Sequence, residues 1–365
     1  MTFHAQFPNV PLHAGMYESF YLRAVSPDEP VGAWIRYTVE KAPGLAARGS
    51  LWVSVFDADA GAPFTHRQSS EDLTVPADGW IEVGGDSRFG PARAQGHVQL
   101  SEAASASRQS GGPAEGRPDE VRWTLDIRPD APELRHFKQP WLYRAPLPRT
   151  KLTSPAPAAR FDGTIELPGR TLQLDGWRGM VGHNWGSEHA ERWIWLHGID
   201  FREDANAWLD VALGRVLVAG RLTPWMASGA ICIDGRRSRL GGLGARGLKV
   251  AESPARCSLT LPGEHGLTVE AHVDTPPGSS AEWRYNDPGA DSPSGEHYVS
   301  NCSVASLALN VRPHILKRTG TRKGAGGTGT PKGTSTLKGT SGEAARTLHT
   351  AHGAAYELGV SAAGR

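Results

Sequence analysis

The sequence predicts an all-β protein made of two antiparallel barrels or sandwiches, and three observations carry that prediction. Apolar residues recur at every second position over many short segments, the period of a half-buried strand. Glycine (44) and proline (27) are frequent, and no convincing amphipathic helix interrupts the strand pattern. At 365 residues the chain is too long for one ordinary core, which points to two domains.

In chain order, strand segments are predicted at 18–23, 33–39, 51–56, 80–83 and 96–100, with Ile35, Tyr37 and Val39 on one face of the second. Residues 101–120 are small, polar and glycine-rich and read as a solvated loop. Beyond them Val121, Trp123, Leu125 and Ile127 alternate with Arg122, Thr124 and Asp126, a half-buried strand. Five prolines fall in 136–160, where neither helix nor interior strand is expected. The expected division is therefore an N-terminal β domain over 1–140, a Pro-rich connection over 141–160 and a C-terminal β domain over 161–365.

In the second half, strands are predicted at 161–167, 172–175, 207–213, 215–219, 230–234, 257–261 and 267–273, with a hairpin turn at Asp234-Gly235. Leu307, Leu309 and Val311 share a face, and Tyr356, Leu358 and Val360 return the chain to close a sheet. Between them, 317–342 holds six basic residues, eight glycines and seven threonines but no acid, so a disordered insertion is expected.

Residues 177–201, WRGMVGHNWGSEHAERWIWLHGIDF, are the densest in unusual side chains. Five of the twelve tryptophans fall between Trp177 and Trp208. Trp193, Trp195, His197, Ile199 and Phe201 alternate along a strand, and Gly182 and Gly186 bracket what reads as a tight turn. Aromatic bodies with polar tips on such a framework furnish a concave ligand site.

Several chemistries lose support. Net charge is +1, from 39 basic and 38 acidic residues, so no global field draws the chain to nucleic acid or membrane. No apolar stretch is long enough to span a bilayer, and MTFHAQFPNVPLH has no signal-peptide pattern. Gly-x-Ser-x-Gly, dinucleotide-binding and phosphate-cradling motifs are missing, so no cofactor is expected. Cys232, Cys257 and Cys302 form no metal or disulfide spacing and read as buried free thiols of a cytoplasmic protein. His183, His189 and His197 match no helix-based zinc spacing, and hydrogen-bonded histidines rather than a metal are expected.

The predicted site is a Trp-lined cavity for a hydrophobic small molecule. Trp185, Trp193 and Trp195 would shield a carbocation, with His189 and His197 among the ligand contacts. Glu188, Asp200 and Asp210 are the candidate acids, because desolvation beside such a cavity raises a carboxyl's pKa towards that of a proton donor. His183 and Asn184 would orient the acid or a water, although Asn184 also suits a residue that hydrogen-bonds its own turn.

The segments ESFYLR (18–23), AWIRYT (33–38), LWVSVFD (51–57), HNWG (183–186) and WIWLHG (193–198) resemble the AttH-like proteins. That lipocalin-like superfamily includes carotenoid 1,2-hydratase (hydroxyneurosporene synthase), with tocopherol cyclase and lipocalin-like Diels–Alderases as more distant relatives. The resemblance implies two lipocalin-like β domains, a hydrophobic isoprenoid- or polyene-like ligand, and cofactor-free protonation, hydration, cyclisation or isomerisation of an alkene. A non-catalytic carrier of the same fold is the alternative. The insertion at 317–342 is not part of the pattern.

Overall fold

The computed structural model describes residues 4–100, 120–289, 295–313 and 345–364. The expected loop at 101–120 (but for Glu120) and the basic insertion at 317–342 lie outside the described residues. Strand pairing dominates, and among the described residues the only helices are short 3-10 turns.

The first sheet holds twelve strands. They are β1 (Met16–Val25), β2 (Val31–Lys41), β3 (Arg48–Asp57), β4 (Phe64–Ser70), β5 (Leu73–Thr74) and β6 (Ile81–Val83), then β7 (Ser87–Phe89), β8 (Arg93–Gln99), β9 (Glu120–Pro129), β10 (Leu134–Arg135), β11 (Thr150–Leu167) and β12 (Arg170–Gly186). Their order is β4-β3-β2-β1-β12-β11-β9-β8-β7-β6-β5, with β10 on β11. The sheet curls until its ends nearly meet: the Gln99 backbone N–H, at the end of β8, donates to Gln68 Oε1 on β4 at 2.6 Å.

The second sheet holds ten strands in the order β18-β17-β14-β13-β24-β23-β21-β20-β19, with β22 on β23. These are β13 (Arg192–Phe201), β14 (Asp204–Arg215), β17 (Met226–Ile233), β18 (Arg236–Gly241), β19 (Lys249–Ser253), β20 (Arg256–Pro262), β21 (Thr268–Asp274), β22 (Ala281–Asn286), β23 (Glu296–Arg312) and β24 (Arg346–Ser361). The short β15 (Leu217–Val218) and β16 (Arg221–Leu222) pair apart from it. This sheet also nears closure, where Leu240 bridges Gly263. The all-β, two-barrel reading of the sequence therefore holds.

Several local expectations hold as well. Asp234 and Gly235 both have positive φ (50° and 72°) and turn β17 into β18. Val121, Trp123, Leu125 and Ile127 are buried while Arg122 and Asp126 are exposed. The last strand, β24, runs between β13 and β23. Cys232, Cys257 and Cys302 are free and buried.

Two expectations are corrected. The change of sheet falls at 187–191, not in the proline-rich stretch 141–160, because residues from Thr150 onward are strand β11 of the first sheet. Pro155 and Pro157 are tolerated there because pairing with β12 skips register between Thr153 and Ala156 and again between Ala156 and Ala159, and a bulge spares the missing N–H. Gly182-His-Asn-Trp-Gly186 is likewise not a turn but the end of β12, paired with β1 and β11. Its glycines serve close approach: a β-carbon on Gly182 would overlap the Tyr21 ring, and one on Gly186 the Arg149 carbonyl.

Strands β1, β2 and β3 are buried at nearly every position. One face, including Phe20, Leu22, Ile35, Tyr37 and Val53, fills the first sheet's own core. The opposite face, with Trp34, Trp52 and Phe56, packs into the core of the second sheet beside Tyr285 and Val304. This junction is where the polar side chains gather.

Candidate functional site

Strand β13 brings the tryptophan-rich stretch to the junction. Trp195 meets Tyr21 of β1 edge to face, with centroids 5.5 Å apart. His197, fully buried, has Nδ1 3.2 Å from Arg23 Nη1 and Nε2 3.0 Å from the Pro157 carbonyl. A guanidinium only donates, so Nδ1 accepts and the Nε2–H donates to Pro157. Arg23 Nη2 also donates to the Ser303 carbonyl at 2.8 Å. Burial, helped by the Arg23 charge, lowers the His197 pKa to about 4, and burial lowers Arg23 to about 9.

Asp210 lies opposite His197 in the register of β13 with β14 and is fully buried. Its Oδ2 accepts from Ser154 Oγ at 2.5 Å and lies 3.4 Å from His136 Nε2, while Oδ1 accepts from Trp195 Nε1 at 3.2 Å. Ser154 and His136 belong to the first-sheet side, so this carboxylate ties the two sheets together. Burial alone would raise its pKa, but the His136 contact, the His197 charge and the Ser154 hydroxyl outweigh it and hold the carboxyl below its ordinary value. Desolvation therefore does not turn Asp210 into a proton donor: it is an ionised hydrogen-bond acceptor at neutral pH.

The other predicted residues are dispersed. Glu188 is 45% exposed and ion-paired with Arg149 at the surface. Asp200 has φ 59° at the irregularity where β13 turns into β14, 3.8 Å from Arg178. His183 lies on the first-sheet side, its Nε2 2.7 Å from Glu18 Oε1, and its ring stacks between Phe20 and Trp185 at 4.6 Å from each. Glu18 is fully buried and also accepts from the backbone N–H groups of Gln6 (2.9 Å) and Phe7 (2.8 Å). Burial lowers the His183 pKa despite the Glu18 hydrogen bond. Asn184 is held mid-strand opposite Ser19 and Leu152.

His189 and Trp193 reach a different part of the junction, together with residues the sequence did not single out. Asp287 Oδ1 accepts from the His189 backbone N–H at 2.7 Å and lies 2.7 Å from its Nδ1; Oδ2 lies 3.1 Å from His297 Nε2. Potential ligand atoms of His189, Asp287 and His297 all lie within 4.8 Å of one another, and two imidazoles with a carboxylate suit a divalent transition metal. Burial lowers His189 to about 4. Burial would raise Asp287, yet the two imidazoles hold it well below the usual carboxylate range.

The His189 ring stacks on Tyr17 at 4.0 Å, with Trp193 at 5.6 Å and Tyr285 at 5.7 Å. Beside this group opens a cleft of about 40 Å³ lined by Tyr17, Arg36, Trp52 and Arg67 from the first sheet and by His189 and Tyr285 from the second-sheet side. A recess of similar volume, bounded by Leu51, Ser87 and His97, belongs to the first sheet alone.

Arg36, Trp52, Tyr285 and Asp287 were not foreseen, and one signal was available for the first two. In 33–39 and 51–56 a tryptophan or arginine sits on the face opposite the aliphatic one, which marks strands covered on both sides. Asp287 lies in the turn-like run NDPG at 286–289, which gave no hint of two histidine partners.

No family model matches the chain. Two uncharacterized proteins of Mycobacterium tuberculosis, from strains CDC 1551 / Oshkosh and ATCC 25618 / H37Rv, are each 30% identical to it over 190 residues, 50% of this chain and 49% of theirs. The chain thus spans about half the length of the curated relatives it matches. The crystal structure of CghA with Sch210972 superposes over 95% of this chain and 88% of CghA, with a TM-score of 0.56 and 12% identity. Kievitone hydratase from Nectria haematococca has a TM-score of 0.47 and 11% identity, over 96% of this chain and 89% of its own. The fold shared with CghA is lipocalin-like, as the sequence resemblance implied, and at this identity the likeness concerns the fold alone.

Proposed function

We propose that the protein binds a hydrophobic, isoprenoid- or polyene-like molecule at the junction of its two sheets. The observation that carries this reading is the cleft where Tyr17 and Trp52 of the first sheet face Tyr285 of the second, and His189 of the segment joining them, around a buried arginine. Ligand sites favour such boundaries between packed units, with aromatic walls and a few convergent polar groups. Aromatic side chains occupy much of the first sheet's interior, where Trp123 and Phe89 are fully buried and Trp123 Nε1 donates to the Tyr37 hydroxyl at 2.8 Å, and the recess beside Leu51 and Ser87 is lined mainly by small and polar residues.

Chemistry on an alkene of that molecule, by hydration, cyclisation or isomerisation, is the catalytic form of the proposal; a carrier is its non-catalytic form. The fold shared with CghA, solved with Sch210972, supports a small-molecule role. At neutral pH His189 is unprotonated and Asp287 ionised, and the low pKa values that keep them so make both weak bases. The three unpaired, buried thiols fit a reducing cytoplasm. Among the described residues no helix is long and apolar enough to cross a membrane.

The test is incubation with a panel of isoprenoids, polyenes and fatty acids, followed by mass spectrometry of what the protein retains. Retention of an unchanged molecule makes it a carrier. A product heavier by one water, about 18 mass units, or an isomer of equal mass, makes it a hydratase or a cyclase. Retention of nothing from the panel contradicts the proposal.

A further inference from the structure

Arg36 is the side chain at this junction whose chemistry the fold leaves unanswered. It lies on the face of β2 that meets the second sheet, between Trp34 and Thr38, and is 6% exposed. Its Nε–H donates to Ser19 Oγ on the neighbouring strand. Its guanidinium carbon lies 4.5 Å from the Tyr285 ring centroid, 5.6 Å from that of Trp34 and 5.8 Å from that of Trp52. Among the described residues no carboxylate oxygen comes within the 4.0 Å of an ion pair. The nearby buried acids are already engaged: Glu18 by His183 and two backbone N–H groups, Asp287 by two histidines, and Glu357 by Trp193 Nε1 (2.9 Å) and Asn301 Nδ2 (3.1 Å).

Removing a guanidinium from water without a counter-ion is costly, by several kcal/mol. Cation–π contacts return about 0.5–2 kcal/mol each, and the acceptor at hand is the neutral Tyr285 hydroxyl, so among the described residues the Arg36 fork has no anionic partner. That side chain lines the cleft, as does Arg67, whose guanidinium lies 4.1 Å from the Trp52 centroid. Arg284, also on the rim, is paired with Glu296 at 3.3 Å. Glu40, also on the rim, is exposed to solvent.

The cleft is small. About 40 Å³ is room for two or three waters, or for one planar polar head, but not for an isoprenoid chain. The cleft's aromatic walls, Tyr17, Trp52 and Tyr285, are themselves buried, so what fits there is the head of a ligand.

From these observations we propose that the cleft takes the carboxylate head of an otherwise apolar ligand, with the Arg36 fork donating to its two oxygens and Arg67 adding positive charge from the rim. The ligand class is then isoprenoid or polyene carboxylic acids, in preference to the corresponding alcohols or hydrocarbons. The inference rests on the small-molecule reading of the cleft given above. A planar carboxylate matches a guanidinium fork in a way that a hydroxyl does not, and the charge-assisted pair is about twice as strong as a neutral hydrogen bond.

The experiment compares retinoic acid with retinol, and farnesoic acid with farnesol as competitor, by quenching of tryptophan fluorescence in the full chain at pH 7.5. The acid of each pair is expected to bind at least about tenfold more tightly than its alcohol, with a preference that shrinks as salt is raised. Arg36→Met, which keeps an apolar stem of similar reach, is expected to bring acid and alcohol within about twofold of each other, and Arg36→Lys to restore part of the difference. The wild-type comparison needs no variant, so misfolding of Arg36→Met cannot mask the answer. Equal binding of acid and alcohol by the wild type overturns the carboxylate inference and leaves the cleft reading standing. A preference that survives in a folded Arg36→Met removes Arg36 from the role. Binding of neither overturns both.

Discussion

Asp210→Ala is expected to destabilise the protein by about 3–5 kcal/mol, the effect of removing one partner from a buried, charge-bearing network. The carboxylate is fully buried and accepts from Ser154 and Trp195 while lying against His136. Truncation leaves the indole N–H and the serine hydroxyl without their acceptor in a site closed to water, and each such orphan costs about 1–3 kcal/mol. Because Ser154 comes from the first sheet, His136 from the segment just after β10, and Asp210 from the second sheet, the damage falls on the junction itself. Asp210→Asn keeps an acceptor for Trp195 and the side-chain volume, so it should cost clearly less. Urea unfolding at pH 7 followed by tryptophan fluorescence measures both. A loss below about 1 kcal/mol for Asp210→Ala would mean that the network does not hold the sheets together.

Acidification is the second large effect. His189 and His197 have pKa values of about 4 in the folded protein, below the ordinary 6.5, in each case chiefly through burial. Below pH 6.5 the unfolded chain takes up protons that the folded chain refuses, so stability falls with pH from about 6.5 until the folded histidines themselves protonate near 4. Each histidine contributes on the order of 3 kcal/mol to that loss, and above pH 6.5 neither contributes any slope. Asp210 and Asp287 are held low, and carboxylates of that kind lose stability in the same direction as pH falls through their folded values. The urea midpoint should therefore be flat from pH 8 to 7 and drop steeply between 6.5 and 4.5. A flat midpoint down to pH 4.5 would show that these imidazoles are not buried as neutral groups.

Much of the architecture was legible because a period of two is a backbone property that survives in sequence. Val121 to Ile127, Leu307 to Val311 and Tyr356 to Val360 all became strands; the expected faces of the first two are buried, and in the third Tyr356 and Leu358 are buried and Val360 partly so. Asp234-Gly235 turned as its positive φ preference demands. The failures share a cause: local residue type stood for more than one environment. Glycines at 182 and 186 read as a turn, yet they make room for the Tyr21 ring and the Arg149 carbonyl. Prolines at 155 and 157 read as a linker, yet they fall where β11 skips register.

The site was legible in its ingredients and not in its grouping. His189, Trp193, Trp195 and His197 do come to the junction, but they meet Asp287, Tyr21 and Arg23 from distant segments, and pairings across sheets leave no local trace. Glu188 and Asp200 drew notice only because they lie near the tryptophans in sequence; one ended at the surface and the other at a bulge. Asp210, one of three candidate acids in the sequence, is buried, but whether burial yields a proton donor or a bound carboxylate depends on His136 and Ser154, which nothing in the sequence links to it.

Where the ligand lies decides the account most directly, and photo-cross-linking measures that. A farnesoic acid analogue carrying a diazirine near its carboxyl end would be bound, irradiated and mapped by peptide mass spectrometry. Labels are expected on both sides of the junction, on Tyr17 or Trp52 of the first sheet and on Tyr285 of the second or His189 of the connecting segment. Labels confined to Trp80, Phe89 and Trp123 would place the ligand inside the first sheet and contradict the account.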